Sequence, residues 1–107
     1  MMAEHLTVTT TVDSREAADH IAEVLLERKL AACVQVEGPI ESIYRWHGEV
    51  EQAREWRCTI KTRADLYESL EAAIRETHPY KTPEILAQAV VYGSREYLAW
   101  IDESVRR

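Results

Sequence analysis

Residues 78–85 read HPYKTPEI and bring an imidazole, a phenol, an ammonium and a carboxylate into eight positions. His78 and Glu84 lie six apart across a turn stiffened by Pro79 and Pro83. From there they could converge on a cation, because imidazole and carboxylate together suit Cu(II) or Zn(II). A plainer role is open to each. His78 would end a helix, where the dipole favours a protonated ring, and Glu84 would be a rim charge. Tyr80, between the prolines, reads as a packing plug whose hydroxyl needs a partner.

The two thiols, Cys33 and Cys58, have no CxxC or Cys/His metal spacing. Strand alternation puts them on opposite faces, which argues against a disulfide or a shared metal. Cys58, between Trp56 and Ile60, reads as core. Cys33 reads as the candidate for a soft metal or redox role. In YRWHGEVE, His47, Glu49 and Glu51 read as a charged loop tip, and Trp46 needs something to cover its indole.

Other chemistries find no support. No Ser/His/Asp or Cys/His pairing stands out, and three glycines form no phosphate loop, so the chain does not read as an enzyme. The net charge is −6 with both signs interspersed, against the basic stripe of a nucleic-acid surface. Thr7, Thr9, Thr59 and Lys61 stand where an RNA-binding sheet would need aromatics. No stretch approaches a membrane span and no secretory leader is recognisable, so a reducing, cytoplasmic setting is expected.

The elements that must position these groups are legible. At 107 residues, with no composition shift, one domain over 1–107 is expected. LTVTTTVD alternates with β-branched residues, a strand. Asp13 with Glu16 resembles a capping box before a helix carrying Ala17, Ala18, Ile21, Ala22, Leu25 and Leu26. AACVQVE is a second strand, bent at Gly38-Pro39 and resuming through IESIYRWH to a turn at Gly48. EWRCTIKTR is the third, with Trp56, Cys58 and Ile60 toward the core. Leu66, Leu70, Ala73 and Ile74 mark a second helix, which must stop before Pro79. EILAQAVVYG is a fourth strand, and SREYLAWIDESV a closing helix with Ser94 as cap and Tyr97, Leu98 and Ile101 inward. The order β-α-β-β-α-β plus a helix predicts an α+β, ferredoxin-like sandwich with a long central hairpin.

Two features predict a homo-oligomer. The fourth strand is apolar on both sides, as if covered on both. The central strands, read through the bend, run about fifteen residues where about 5–6 is usual, leaving an edge for another chain to pair with.

LERKLAACVQV, ESIYRWHGEVE, IKTR, HPYKTPEI and YLAWI resemble, in order and spacing, the CutA family of divalent-cation tolerance proteins. The resemblance spans residues 7 to 101. It implies a homotrimer of ferredoxin-like subunits that binds divalent cations, copper foremost, in metal tolerance. It also implies inter-subunit clefts similar to those of PII signalling proteins. The matching positions are Cys33, Tyr44, Trp46, Gly48, Lys61, Thr62, His78, Pro79, Tyr80, Pro83, Glu84, Tyr97 and Trp100. The sequence departs from the family's pattern at Lys81, where a Glu is common, and at His47, where an acid or amide is common. The expected cation site is therefore His78 and Glu84, with Cys33 as a soft alternative. Tyr44, Trp46, Lys61, Tyr80, Lys81 and Trp100 are expected at a cleft or interface. In the alternative PII-like reading, Lys61, Arg63 and Lys81 would hold a small anion there.

Overall fold

The computed structural model describes residues 3–107. Its elements are β1 His5–Val12, α1 Arg15–Glu27, β2 Cys33–Trp46, β3 Glu49–Arg63, α2 Tyr67–Thr77, β4 Leu86–Ala89 and α3 Arg95–Ser104, with a 3-10 turn, Ala64–Leu66, leading into α2. The strands form one antiparallel sheet in the order β2-β3-β1-β4, the ferredoxin-like arrangement.

Alternation decides the two faces of this sheet. Val8, Thr10 and Val12 stand opposite Ile60, Cys58 and Trp56, and Ile60 and Cys58 stand opposite Val34 and Val36. Against this face α1 lays Ala18, Ile21 and Leu25, and α2 lays Leu70, Ala73 and Ile74. Each Leu or Ile withdrawn from water contributes about 1.5–3 kcal/mol, so this layer dominates stability. Its polar atoms are satisfied: Thr62 Oγ1 donates to Leu30 O at 2.6 Å. Burial pushes the Cys58 thiol up to about 11, which keeps it neutral and unreactive at pH 7.

Three local expectations are corrected. The cap of α1 is Ser14, not Asp13: its Oγ accepts from Ala17 N–H at 3.0 Å, so the helix begins one residue later than the capping-box reading. The fourth strand is shorter than its ten-residue pattern. Only Leu86–Ala89 pairs, with Leu6–Thr9 of β1, and one further bond runs from Val90 N–H to His5 O. It is an edge strand, exposed on both faces, and Tyr92 beyond it is 93% exposed. Finally, α3 is capped by Ser94 as expected, but it buries Ile101 and leaves Tyr97 exposed. Tyr97 instead faces the sheet's open side, 5.7 Å from Lys61 Nζ.

The hairpin carries the feature that matters most for the site. Between the pairs Glu37–Arg57 and Ile40–Glu55, β2 places two residues, Gly38 and Pro39, opposite the single Trp56. The extra residue is a β-bulge, and it reverses the alternation of everything beyond it. Below the bulge, Cys33, Gln35 and Glu37 occupy the open face. Above it, Ile40, Ser42, Tyr44 and Trp46 do, opposite Glu55, Ala53, Glu51 and Glu49. The arm then closes through His47-Gly48, both at positive φ (48° and 79°), as a type I′ turn requires. Because β1 ends opposite Trp56, this arm has no third strand, and Ile43, Trp46 and Val50 lie exposed on it.

Gly38 is required at the bulge by close approach. A Cβ there would lie 2.6 Å from Trp56 Cδ1 and 3.0 Å from the backbone oxygen of Glu55. Gly38→Ala should therefore lower stability by about 1–3 kcal/mol, the usual range for overpacking. Urea unfolding at fixed protein concentration would read this as a lower midpoint, and an unchanged midpoint would contradict the packing described.

Candidate functional site

The turn between α2 and β4 is built around His78. Its backbone N–H ends α2 by donating to Ile74 O at 2.8 Å, and its ψ of 134° turns the chain out of the helix, as Pro79 demands. The ring then holds the loop. Nδ1 lies 3.1 Å from Tyr80 N–H, which can only donate, so Nδ1 is the bare nitrogen. Nε2 must carry the proton, and it donates to Thr11 O at 2.9 Å with Thr10 Oγ1 at 3.1 Å. Burial pushes the pKa of His78 below its ordinary 6.5, although the bond to Thr11 O opposes the shift. The expectation of a protonated ring at the helix end is thus reversed: desolvation outweighs the dipole, and a second ring proton would face the Tyr80 N–H.

Tyr80, positioned by that bond, reaches over to the hairpin and donates its hydroxyl to Glu55 Oε2 at 2.6 Å. Burial, and then the Glu55 carboxylate, raise the phenol well above the usual tyrosine range, so it stays a donor. The two segments enclose a concavity of about 510 Å³, lined among others by Thr11, Tyr44, Trp46, Glu55, Tyr80 and Glu84. Its lining holds two carboxylates and three aromatic rings, and no Lys, Arg or His.

The expected site residues divide accordingly. Tyr44, Trp46, Tyr80 and Glu84 come together here. His78 lies behind Tyr80 with both ring nitrogens engaged, so it presents no free lone pair. Cys33 is elsewhere, opposite Lys61 on the open face and four residues down the strand from Glu37. His78, Glu84 and Cys33 therefore do not converge within the chain, and no group of three or more His, Cys, Asp or Glu able to hold a metal occurs among the described residues. Lys61 belongs to a separate cluster with Tyr97 and Trp100, whose rings are 5.4 Å apart. Lys81 is exposed, and Arg63 is committed to Asp65 at 2.8 Å and to Arg106 O. The cations proposed to hold an anion do not gather at the concavity. His47 stacks edge-on against Trp46 at the arm's tip. Glu55 is the residue that sequence reading missed. A lone Glu preceding a core-facing Trp on a strand looks like an ordinary outward charge, and only the bulged arm and the crossing loop bury it.

The whole arrangement defines a class: a ferredoxin-like chain with a long bulged arm and an acidic, aromatic concavity at its root. Residues 6–104 match the family model described as CutA1 divalent ion tolerance protein. The chain belongs to that family of divalent ion tolerance proteins. It is 42% identical over 97 residues to the divalent-cation tolerance protein CutA of Thermus thermophilus, covering 91% of this chain and 94% of that one. The crystal structure of CutA1 from the psychrotrophic bacterium Shewanella sp. SIB1 superposes with a TM-score of 0.96 at 36% identity over the full length of both chains. The structure of the protein described as periplasmic divalent cation tolerance protein CutA from Archaeoglobus fulgidus gives 0.92 at 40% identity, covering 95% of this chain and 99% of that one.

The neutral state of His78 predicts a pH dependence. A folded-state value below 6.5 means that the stabilisation is complete above pH 6.5 and is lost as the pH falls through the lower folded value. Between about pH 7.5 and pH 5 the thermal midpoint of the wild type should fall more steeply than that of His78→Gln, which has no ring to protonate. Parallel profiles would contradict the assignment.

Proposed function

We propose that the chain acts in divalent-cation tolerance as a homotrimer that binds copper, or another divalent cation, at the clefts where its hairpin arms meet neighbouring subunits. The observation that carries this reading is the family match over residues 6–104. Supporting it, the arm leaves Ile43, Trp46 and Val50 exposed and β4 is open on both faces, as surfaces to be covered in an assembly would be.

Among the described residues of one chain no three such ligands gather, so the reading draws ligands from more than one subunit. Glu84 is the accessible carboxylate at the concavity and the first ligand in this proposal. His78 holds the loop that carries Glu84, and would coordinate only by releasing Tyr80 N–H or Thr11 O. Cys33 would serve a different, softer site on the open sheet. Two free thiols suit a reducing compartment, and we place the protein in the cytoplasm on that ground.

Light scattering should return the mass of a trimer. Calorimetry with Cu(II) should show binding that weakens at least about tenfold in Glu84→Ala and also weakens in His78→Ala. A monomeric mass, or copper binding untouched by both substitutions, would overturn the proposal.

A further inference from the structure

The lining of the concavity favours a particular kind of cation. Glu55 is 7% exposed, and its carboxylate receives one hydrogen bond, on Oε2 from Tyr80. No basic side chain pairs with it among the described residues, whereas six other acidic residues have ion-pair partners. A carboxylate so deeply withdrawn is costly unless a positive charge or further donors meet it. Its second oxygen, Oε1, accepts nothing among these residues. None of their buried side-chain oxygens is both sealed from solvent and unpartnered, so Oε1 keeps contact with solvent, and Glu55 lines the concavity.

The rest of the lining is mostly aromatic. Tyr44, Trp46 and Tyr80 come from two segments onto the same concavity, with Glu84 as a second carboxylate. Hard and borderline metal ions seek several compact ligands, and three such groups do not converge here. An alkylammonium or guanidinium group has different needs. Its charge is satisfied by one or two carboxylates, and its weakly hydrated body is attracted to the faces of Trp and Tyr rings. The volume, about 510 Å³, is ample for such a small molecule.

We propose that the concavity between the 78–85 loop and the hairpin arm is a binding site for a small organic cation, an alkylammonium or guanidinium, held by Glu55 Oε1 and Glu84 between the rings of Tyr44, Trp46 and Tyr80. This site goes beyond divalent-metal binding and uses neither His78 nor Cys33 as a ligand. Tyr80 serves it twice, as a wall and as the group that fixes the Glu55 rotamer. Because burial keeps the phenol protonated, Tyr80 remains the donor of that hydrogen bond.

The test is calorimetry on the intact protein with n-butylammonium and with guanidinium, using 1-butanol as the neutral counterpart and sodium chloride for equal ionic strength. The expected result is saturable binding of the cations, at least about tenfold tighter than the alcohol. Glu55→Gln should weaken it at least about tenfold, and Trp46→Leu should weaken it with the fold intact. If Glu55→Gln does not fold, judged by its thermal transition, the exposed Glu84→Gln supplies the charge test and should also weaken binding. No saturable heat with either cation would overturn the proposal. So would equal binding of the alcohol, or affinities unchanged in the carboxylate variants. Copper is titrated separately, so loss of metal binding and loss of organic-cation binding are told apart.

Discussion

The hydrogen bond from the Tyr80 hydroxyl to Glu55, at 2.6 Å, is the interaction on which the candidate site depends. It joins two parts of the chain that share no strand pairing: the loop leaving α2 and the arm formed by the far halves of β2 and β3. Without it, the Glu55 carboxylate would lose its one hydrogen bond, and the loop would have no fixed relation to the hairpin. A hydrogen bond to a charged group contributes about 1.5–3 kcal/mol, more than a neutral one, because both ends would otherwise lose water for little return.

Each end of that bond has its own cause. On the hairpin side, the bulge at Gly38-Pro39 reverses the alternation of β2, so Tyr44 and Trp46 share a face with Glu55 instead of turning away from it. Trp56, pressed against Gly38, holds the bulge. On the loop side, the prolines stop the helix and His78 aims the chain. Its neutral ring is tied to Thr11 O through one nitrogen and to Tyr80 N–H through the other. The imidazole is thus a bracket between β1 and the loop. Acid that protonated it would loosen Tyr80 first, and with it the seat of Glu55.

Much of this architecture could be read from residue order. The period-two runs, the helical spacing of Leu70, Ala73 and Ile74, and the Pro-induced stop at His78 reflect local rules that tertiary structure did not override. The errors have a common origin in groups whose neighbours are distant in sequence. The apolar run of the fourth strand promised ten paired residues, but β1 offers a partner only through Leu6–Thr9, so the pairing stops. Tyr97 fits a helical apolar stripe, yet Lys61 on β3 draws it to the open side of the sheet. For His78 and Glu84, read as a ligand pair from type and spacing, the structure adds what spacing does not reveal: the imidazole also holds the backbone groups Thr11 O and Tyr80 N–H. Glu55 was invisible because its burial depends on a bulge one rung away and a loop about twenty-five residues on. Membership of the CutA1 family, by contrast, was legible from the assembled motifs and agrees with the match over residues 6–104.

The account rests on the claim that Tyr80 and Glu55 act as a coupled pair closing the concavity, and a double-mutant cycle measures that coupling directly. Tyr80→Phe, Glu55→Gln and the double variant would be unfolded under one set of conditions. The account predicts a coupling free energy of about 1–3 kcal/mol, with the second substitution costing much less once the first is made. Strictly additive losses would contradict it, since two side chains bonded as described cannot be removed independently.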